Sequence, residues 1–231
     1  MTTDTRRERL IELYHQASGC VRCPLAETRT KVVFGAGNSN AELMFVGEAP
    51  GADEDRRGLP FVGRAGGLLD ELLAGIGLSR DEVFIANVLK CRPPGNRDPQ
   101  PAEIEACRPY LFGQVELIEP KVVATLGNFA TKLLTRNPTG ITRVRGAPQI
   151  HALGDRTVFV FPLLHPAAAL RTPAMKETLL EDFDRLRALL SEPAPIAAEG
   201  EERDGDGDGP PAASSTPAAE PTTDQLDLFG A

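Results

Sequence analysis

The chain has 231 residues, 41% hydrophobic and 25% charged, which is enough for one α/β domain with a real core, or one domain plus a tail. Its net charge of −8 is concentrated at one end: from Glu192 onward ten acidic residues meet one basic residue, Arg203, whereas residues 1–191 carry 24 basic against 23 acidic. The folded part is therefore close to neutral and able to carry a local basic groove toward phosphates, and no apolar stretch approaches the roughly 20 residues that cross a bilayer, so a cytoplasmic protein is expected.

Residues 3–17 read as a charged amphipathic helix with Leu10, Ile11, Leu13 and Tyr14 on its apolar side. Cys20 and Cys23 follow directly. Residues 42–46 form a short apolar run ending at Gly47, the pattern of a buried strand. Leu68, Leu69, Leu72 and Leu73 give residues 65–76 helical spacing, and residues 83–89 read as a second strand. Residues 101–117 form a helix opened by Pro101, where a missing N–H costs little. A third strand at 121–126, a helix at 128–134, a fourth strand at 156–163 and a closing helix at 173–190 complete the pattern. Strands alternating with helices predict a largely parallel sheet with helices on both faces. Ligands of such folds sit beyond the carboxyl ends of the strands. Residues 47–55, 87–91 and 165–171, the most distinctive segments, each follow a strand.

Residues 1–191 are thus expected to form the domain. Residues 192–224 are, apart from Ile196 and Arg203, Pro, Ala, Gly, acidic and hydroxyl residues, too apolar-poor to offset ordering, and are expected to be a disordered linker. Residues 225–231 break that pattern with Gln225-Leu226-Asp227-Leu228-Phe229.

The four cysteines fall into two pairs, Cys20-x2-Cys23 and Cys91-x15-Cys107. In a cytosolic chain they read as metal ligands or free thiols rather than disulfides. Zinc sites usually show two tight knuckles, whereas a helix splits the second pair here; an iron–sulfur cubane tolerates ligands from such scattered segments. Spacing alone leaves zinc, an iron–sulfur cluster and four unrelated buried thiols open.

Residues 47–55, Gly-Glu-Ala-Pro-Gly-Ala-Asp-Glu-Asp, form a rigid turn whose N–H groups can face a ligand. Residues 58–63, Gly-Leu-Pro-Phe-Val-Gly, present Phe61 on a constrained loop. Asn87 ends the second strand with an amide that both donates and accepts, and His165-Pro166 opens the segment after the fourth. A ring, a two-way amide and an imidazole at one sheet edge suit a flat heterocycle read through its polar edge. Gly35-Ala36-Gly37 hints at a dinucleotide loop, but it lacks the third glycine and precedes the first strand instead of following it.

These segments, with residues 87–99, Asn-Val-Leu-Lys-Cys-Arg-Pro-Pro-Gly-Asn-Arg-Asp-Pro, and the His165–Arg171 loop, resemble the signature of family 4 uracil-DNA glycosylases. The likeness runs from about residue 8 to residue 190 and includes the cysteine spacing. It implies a three-layer α-β-α fold around a central four-stranded, largely parallel sheet, a monomer at the nucleoid, and hydrolysis of the deoxyuridine N-glycosidic bond in base excision repair. It further implies a 4Fe-4S cluster on Cys20, Cys23, Cys91 and Cys107. Phe61 resembles the ring that stacks on flipped uracil, and Asn87 the amide that pairs with its polar edge. The backbone near Glu48 and Ala49 resembles the contact to a uracil carbonyl, and His165 the group that stabilises the departing base. Other uracil glycosylases place an Asp where Ala49 stands; Glu54 is the candidate to position water or stabilise the sugar cation, with Glu48 and Asp55 as alternatives. Leu170 or Arg171 is the candidate wedge that fills the gap in the DNA stack. A branch of the superfamily that traps uracil-DNA through a histidine carries that residue after the second strand; residues 90–97 contain none. A non-catalytic DNA-binding protein is the remaining alternative. Gln225, Leu226, Leu228 and Phe229 resemble the short peptide by which bacterial DNA enzymes dock on the replication sliding clamp.

Overall fold

The computed structural model of the chain describes residues 3–196, with side chains from Thr5 onward. The expected clamp-docking peptide and all but residues 192–196 of the expected linker lie outside the described residues; residues 192–196 carry no regular structure.

The sheet follows from alternation along its strands. In β2 (Leu43–Gly47), Met44 and Val46 point to one face, Leu43 and Phe45 to the other. β3 (Phe84–Asn87), β4 (Val122–Leu126) and β6 (Arg156–Leu163) divide in the same way, so two apolar cores form on opposite sides. One is covered by α1 (Thr3–Ser18), α5 (Pro101–Ile118) and α6 (Asn128–Thr135). The other is covered by α4 (Arg64–Gly75), through Leu68, Leu69, Leu72 and Leu73, and by α9 (Pro173–Leu190), through Leu179, Phe183, Leu186 and Leu189. Burying a side chain of this size contributes roughly 1.5–3 kcal/mol, so each of these leucine stripes is sufficient to dock its helix.

The sheet has six strands in the order β1-β3-β2-β4-β6-β5, not the expected four. The four expected strands form its parallel centre. Two antiparallel strands extend the edges: β1 (Ala36–Gly37) on β3 and β5 (Gln149–Leu153) on β6. β5 joins β6 through Gly154-Asp155, with Gly154 at φ +61°, the conformation a two-residue hairpin demands. The Gly35-Ala36-Gly37 segment is likewise accounted for by packing, because a Cβ at Gly37 would meet Val83 O at 2.0 Å. β3 ends at Asn87, and the chain beyond it stays tied to the end of β2, Val88 donating to Gly47 O at 2.9 Å and Leu89 to Glu48 O at 3.0 Å. Short helices α2 (Leu25–Thr28), α3 (Ala52–Arg57), α7 (Ile141–Val144) and α8 (Pro166–Ala169) occupy stretches to which the sequence pattern assigned no helix. No helix among the described residues is long and apolar enough to cross a membrane.

Candidate active site

The register of the central strands assembles the site. Gly47 and Asn87 are partners at the carboxyl ends of β2 and β3, and Leu126 and Leu163 are partners at the ends of β4 and β6. The residues that follow therefore converge on one rim. Gly47 is a glycine for a steric reason: a Cβ there would stand 2.4 Å from Asn87 Oδ1 and 2.8 Å from Phe61 Cζ.

Asn87 is 2% exposed and its Oδ1 has no hydrogen-bond partner. An orphaned buried acceptor costs about 1–3 kcal/mol, which a ligand's N–H donor would recover. The main chain beneath it is fixed, since Lys90 Nζ donates to Asn87 O at 2.9 Å and to Gln114 Oε1 of α5 at 2.7 Å. Gln114 Nε2 in turn donates to Phe34 O at 2.8 Å.

Phe61 is buried and has φ +51°, a left-handed backbone unusual for a bulky residue. Gly66 makes room for it, because a Cβ there would lie 1.7 Å from Phe61 O. The Phe61 ring stacks toward His165, with centroids 5.8 Å apart and planes at 27°.

His165 caps α8; its Nδ1 accepts the Ala167 N–H at 3.1 Å, which leaves the ring proton on Nε2. Burial pushes its pKa down to about 4, opposed by the negative charge of Glu54, so the imidazole is neutral near pH 7. Gly127, at φ +93°, lets the β4 turn pass close; a Cβ there would be 3.3 Å from His165 Cβ.

The three carboxylates occupy different positions. Glu54 Oε1 accepts the N–H groups of Val62 and Gly63, each at 3.0 Å, and so ties down the loop that carries Phe61. Asp55 is buried and its Oδ1 accepts the Thr30 N–H at 2.9 Å, a structural contact. Glu48, half-buried beside Ala49, has its pKa raised by burial and then by the Asp98 carboxylate. Leu170 and Arg171 are exposed at the end of α8, on the same segment as His165.

Cys91 and Cys107 belong to the apolar core on the α1–α5 side of the sheet, and Cys20 and Cys23 pack against it. All are free thiols, Cys91 and Cys107 buried, Cys20 and Cys23 partly so. Burial pushes the Cys107 thiol up to about 12, against the Lys90 N–H that hydrogen-bonds it and with charges at Cys91 and Cys23 adding to the rise. Arg29 Nη1 donates to Cys20 O at 2.7 Å and to Cys91 Sγ at 3.5 Å. Among the described residues, no group of three or more His, Cys, Asp or Glu is gathered tightly enough to hold a metal ion. The segment between Cys91 and Cys107 is anchored by Glu103, which accepts Gln100 N–H at 2.9 Å and the Arg97 guanidinium at 2.9 and 2.5 Å.

Residues 34–187 match the family model described as the uracil DNA glycosylase superfamily. A type-4 uracil-DNA glycosylase of Sulfurisphaera tokodaii is 47% identical over 189 residues, covering 80% of this chain and 86% of that protein. The type-4 enzyme of Archaeoglobus fulgidus is 45% identical, covering 81% and 96%, and that of Saccharolobus solfataricus 48% identical, covering 74% and 82%. The chain belongs to the uracil-DNA glycosylase superfamily, in its type-4 branch.

Sequence reasoning gave Gly47 only as the end of a strand and passed over Gly127. Each glycine stands at a strand end next to a polar pocket residue, a position that alone hints at close approach.

Proposed function

We propose that this chain hydrolyses the C1′–N1 bond of deoxyuridine in DNA, the first step of base excision repair. The observation that carries this is the buried, unpartnered Asn87 Oδ1 beside the Phe61 ring and a neutral His165. Uracil presents an N3–H that this oxygen accepts, whereas cytosine presents a bare nitrogen there. The same amide's N–H donates to the uracil O4. The base leaves the duplex at a cost of about a few kcal/mol and stacks on Phe61. As the C1′–N1 bond breaks, its electron pair goes to uracil, and His165 Nε2–H and backbone N–H groups near Ala49 stabilise the anion; one such donor is worth about 3–4 kcal/mol. Water adds to C1′ and passes its proton to Glu48, the carboxylate whose raised pKa suits a base. Glu54 acts through the loop and through its charge on His165. Leu170 fills the vacated stack and Arg171 meets a phosphate.

Cys20, Cys23, Cys91 and Cys107 would hold a 4Fe-4S cluster. Four free thiols from three segments on one apolar cluster, with Arg29 and the Lys90 N–H as donors, suit a group larger than a single ion. Holding it there, these residues would be tied together across the turn after α1, the segment after β3 and α5.

The clamp is the second partner, taken by Gln225, Leu226, Leu228 and Phe229. The 33 residues 192–224 separate this peptide from the domain, so docking there would tether the domain beside a clamp and raise its local concentration.

The test is uracil release from a labelled oligonucleotide with uracil opposite G, opposite A and unpaired. Wild type releases uracil; Asn87→Asp loses discrimination against cytosine. No release by cluster-replete protein rejects the glycosylase reading. Calorimetric titration of the 220–231 peptide against the clamp decides the second partner; absent binding, or binding that survives Leu228→Ala with Phe229→Ala, rejects it.

A further inference from the structure

The Phe61 loop is held by two side chains, and only Glu54 belongs to the site as described so far. The other is Arg80. Its Nη1 donates to Pro60 O at 3.2 Å and its Nη2 to Phe61 O. Its Nε donates to Asp70 Oδ1 on α4 at 2.5 Å. One guanidinium thus joins three points of the chain, using the planar fork that a lysine lacks. Arg80 is itself set in place. It opens a 3-10 turn, Arg80–Glu82, closed by Glu82 Oε2, which accepts the N–H and the hydroxyl of Ser79, each at 2.8 Å.

The object of this grip is the residue that most needs one. Phe61 at φ +51° holds a conformation that a bulky side chain keeps only where its surroundings over-determine it. Arg80 fastens the carbonyls on either side of that backbone torsion's Cα; Glu54 fastens the two N–H groups that follow. Arg80 also borders an open cavity of about 500 Å³ shared with Arg57, Leu59, Asp70 and Asp81. It reaches the loop through main-chain carbonyls, so any influence on the base passes through Phe61.

We propose that Arg80 is a positioning residue for the base-stacking ring: by gripping Pro60 O and Phe61 O it fixes the left-handed backbone that aims Phe61 at the pocket shared with Asn87 and His165. The proposal rests on the reading that Phe61 stacks on uracil.

The test is a double-mutant cycle in the full-length, cluster-replete protein, with Arg80→Ala, Arg80→Lys, Phe61→Ala and the Arg80→Ala/Phe61→Ala pair. The readouts are single-turnover uracil release, inhibition by free uracil, and affinity for DNA carrying an abasic analogue. Arg80→Ala is expected to slow release about tenfold and weaken free-uracil inhibition by a similar factor, with abasic-DNA affinity unchanged, as for a contact that orients a binding surface. Arg80→Lys falls between. In the Phe61→Ala background, Arg80→Ala adds less than about twofold, because coupled residues are not additive. Penalties that multiply in the double variant, or an Arg80→Ala with wild-type release and inhibition, overturn the proposal. If Arg80→Ala does not fold, the cycle is run with Arg80→Lys under the same criteria. A silent Phe61→Ala removes the stacking role and this proposal together; an impaired Phe61→Ala beside a silent Arg80 variant removes this proposal alone.

Discussion

The burial of His165 makes the stability of the fold depend on pH. In the fold its pKa lies at about 4, because burial disfavours the imidazolium; in the unfolded chain it returns to its ordinary 6.5. The unfolded state therefore binds the proton more readily. The stability this neutral ring contributes is present above pH 6.5 and is lost as pH falls from 6.5 through about 4. At ~1.4 kcal/mol per unit, the loss between pH 7 and pH 5 from this one group is about 2 kcal/mol. Urea unfolding of wild type and His165→Gln at both pH values measures it: wild type should lose about 2 kcal/mol more than the variant. Nitrogen NMR of the imidazole should find the proton on Nε2 across this range, with Nδ1 bonded to Ala167 N–H. A ring that titrates near 6.5, or equal acid losses in wild type and variant, refutes the argument that burial holds this histidine neutral.

Gly47→Ala places a methyl 2.4 Å from Asn87 Oδ1 and 2.8 Å from Phe61 Cζ; it should cost about 1–3 kcal/mol in a melt and lower uracil release at least ~100-fold. A normally active Gly47→Ala would mean that base binding lies elsewhere. Glu48→Gln should slow single-turnover release about 10²–10⁴-fold, as for loss of a general base, while Glu54→Gln, whose amide oxygen still accepts from Val62 and Gly63, should stay within about tenfold. The reverse order would assign the water to Glu54. Cys107→Ala should lower iron content and thermal stability together, measured by metal analysis and calorimetry; stoichiometric zinc in anaerobically prepared wild type would refute the iron–sulfur assignment.

Much of this was legible in the residues, for identifiable reasons. The central strands and long helices announced themselves because Leu68, Leu69, Leu72 and Leu73, or the runs at 43–46 and 122–126, must face apolar neighbours whatever their order in space. Asn87 and His165 stood out because polar groups at or just past strand ends have few structural duties there, and Phe61 because it sits on a loop bounded by Gly58 and Gly63. β1 and β5 were not legible: two residues carry no periodicity, and β5 alternates with its partly exposed residues on an edge. The carboxylates were ambiguous because sequence places Glu48, Glu54 and Asp55 on one turn but cannot tell which is spent on backbone N–H groups. Asp55 and Glu54 are so spent, by Thr30 and by Val62 with Gly63. Arg80 was invisible because its partners, Pro60 and Phe61, are reached through main-chain atoms about 20 residues away.

The buried Lys90 ties the main chain under Asn87 to a helix distant in sequence. Asn87 O is held by Lys90, Lys90 by Gln114, and Gln114 by Phe34 O, a contact spanning 80 residues. Contacts that distant form only after the intervening loops have closed. Lys90 reaches Asn87 O from only three residues away, but Gln114, which holds Lys90, is carried by α5 and tied back to Phe34. The main chain under Asn87 is therefore braced from α5, and a substitution at Gln114 would reach it through Lys90.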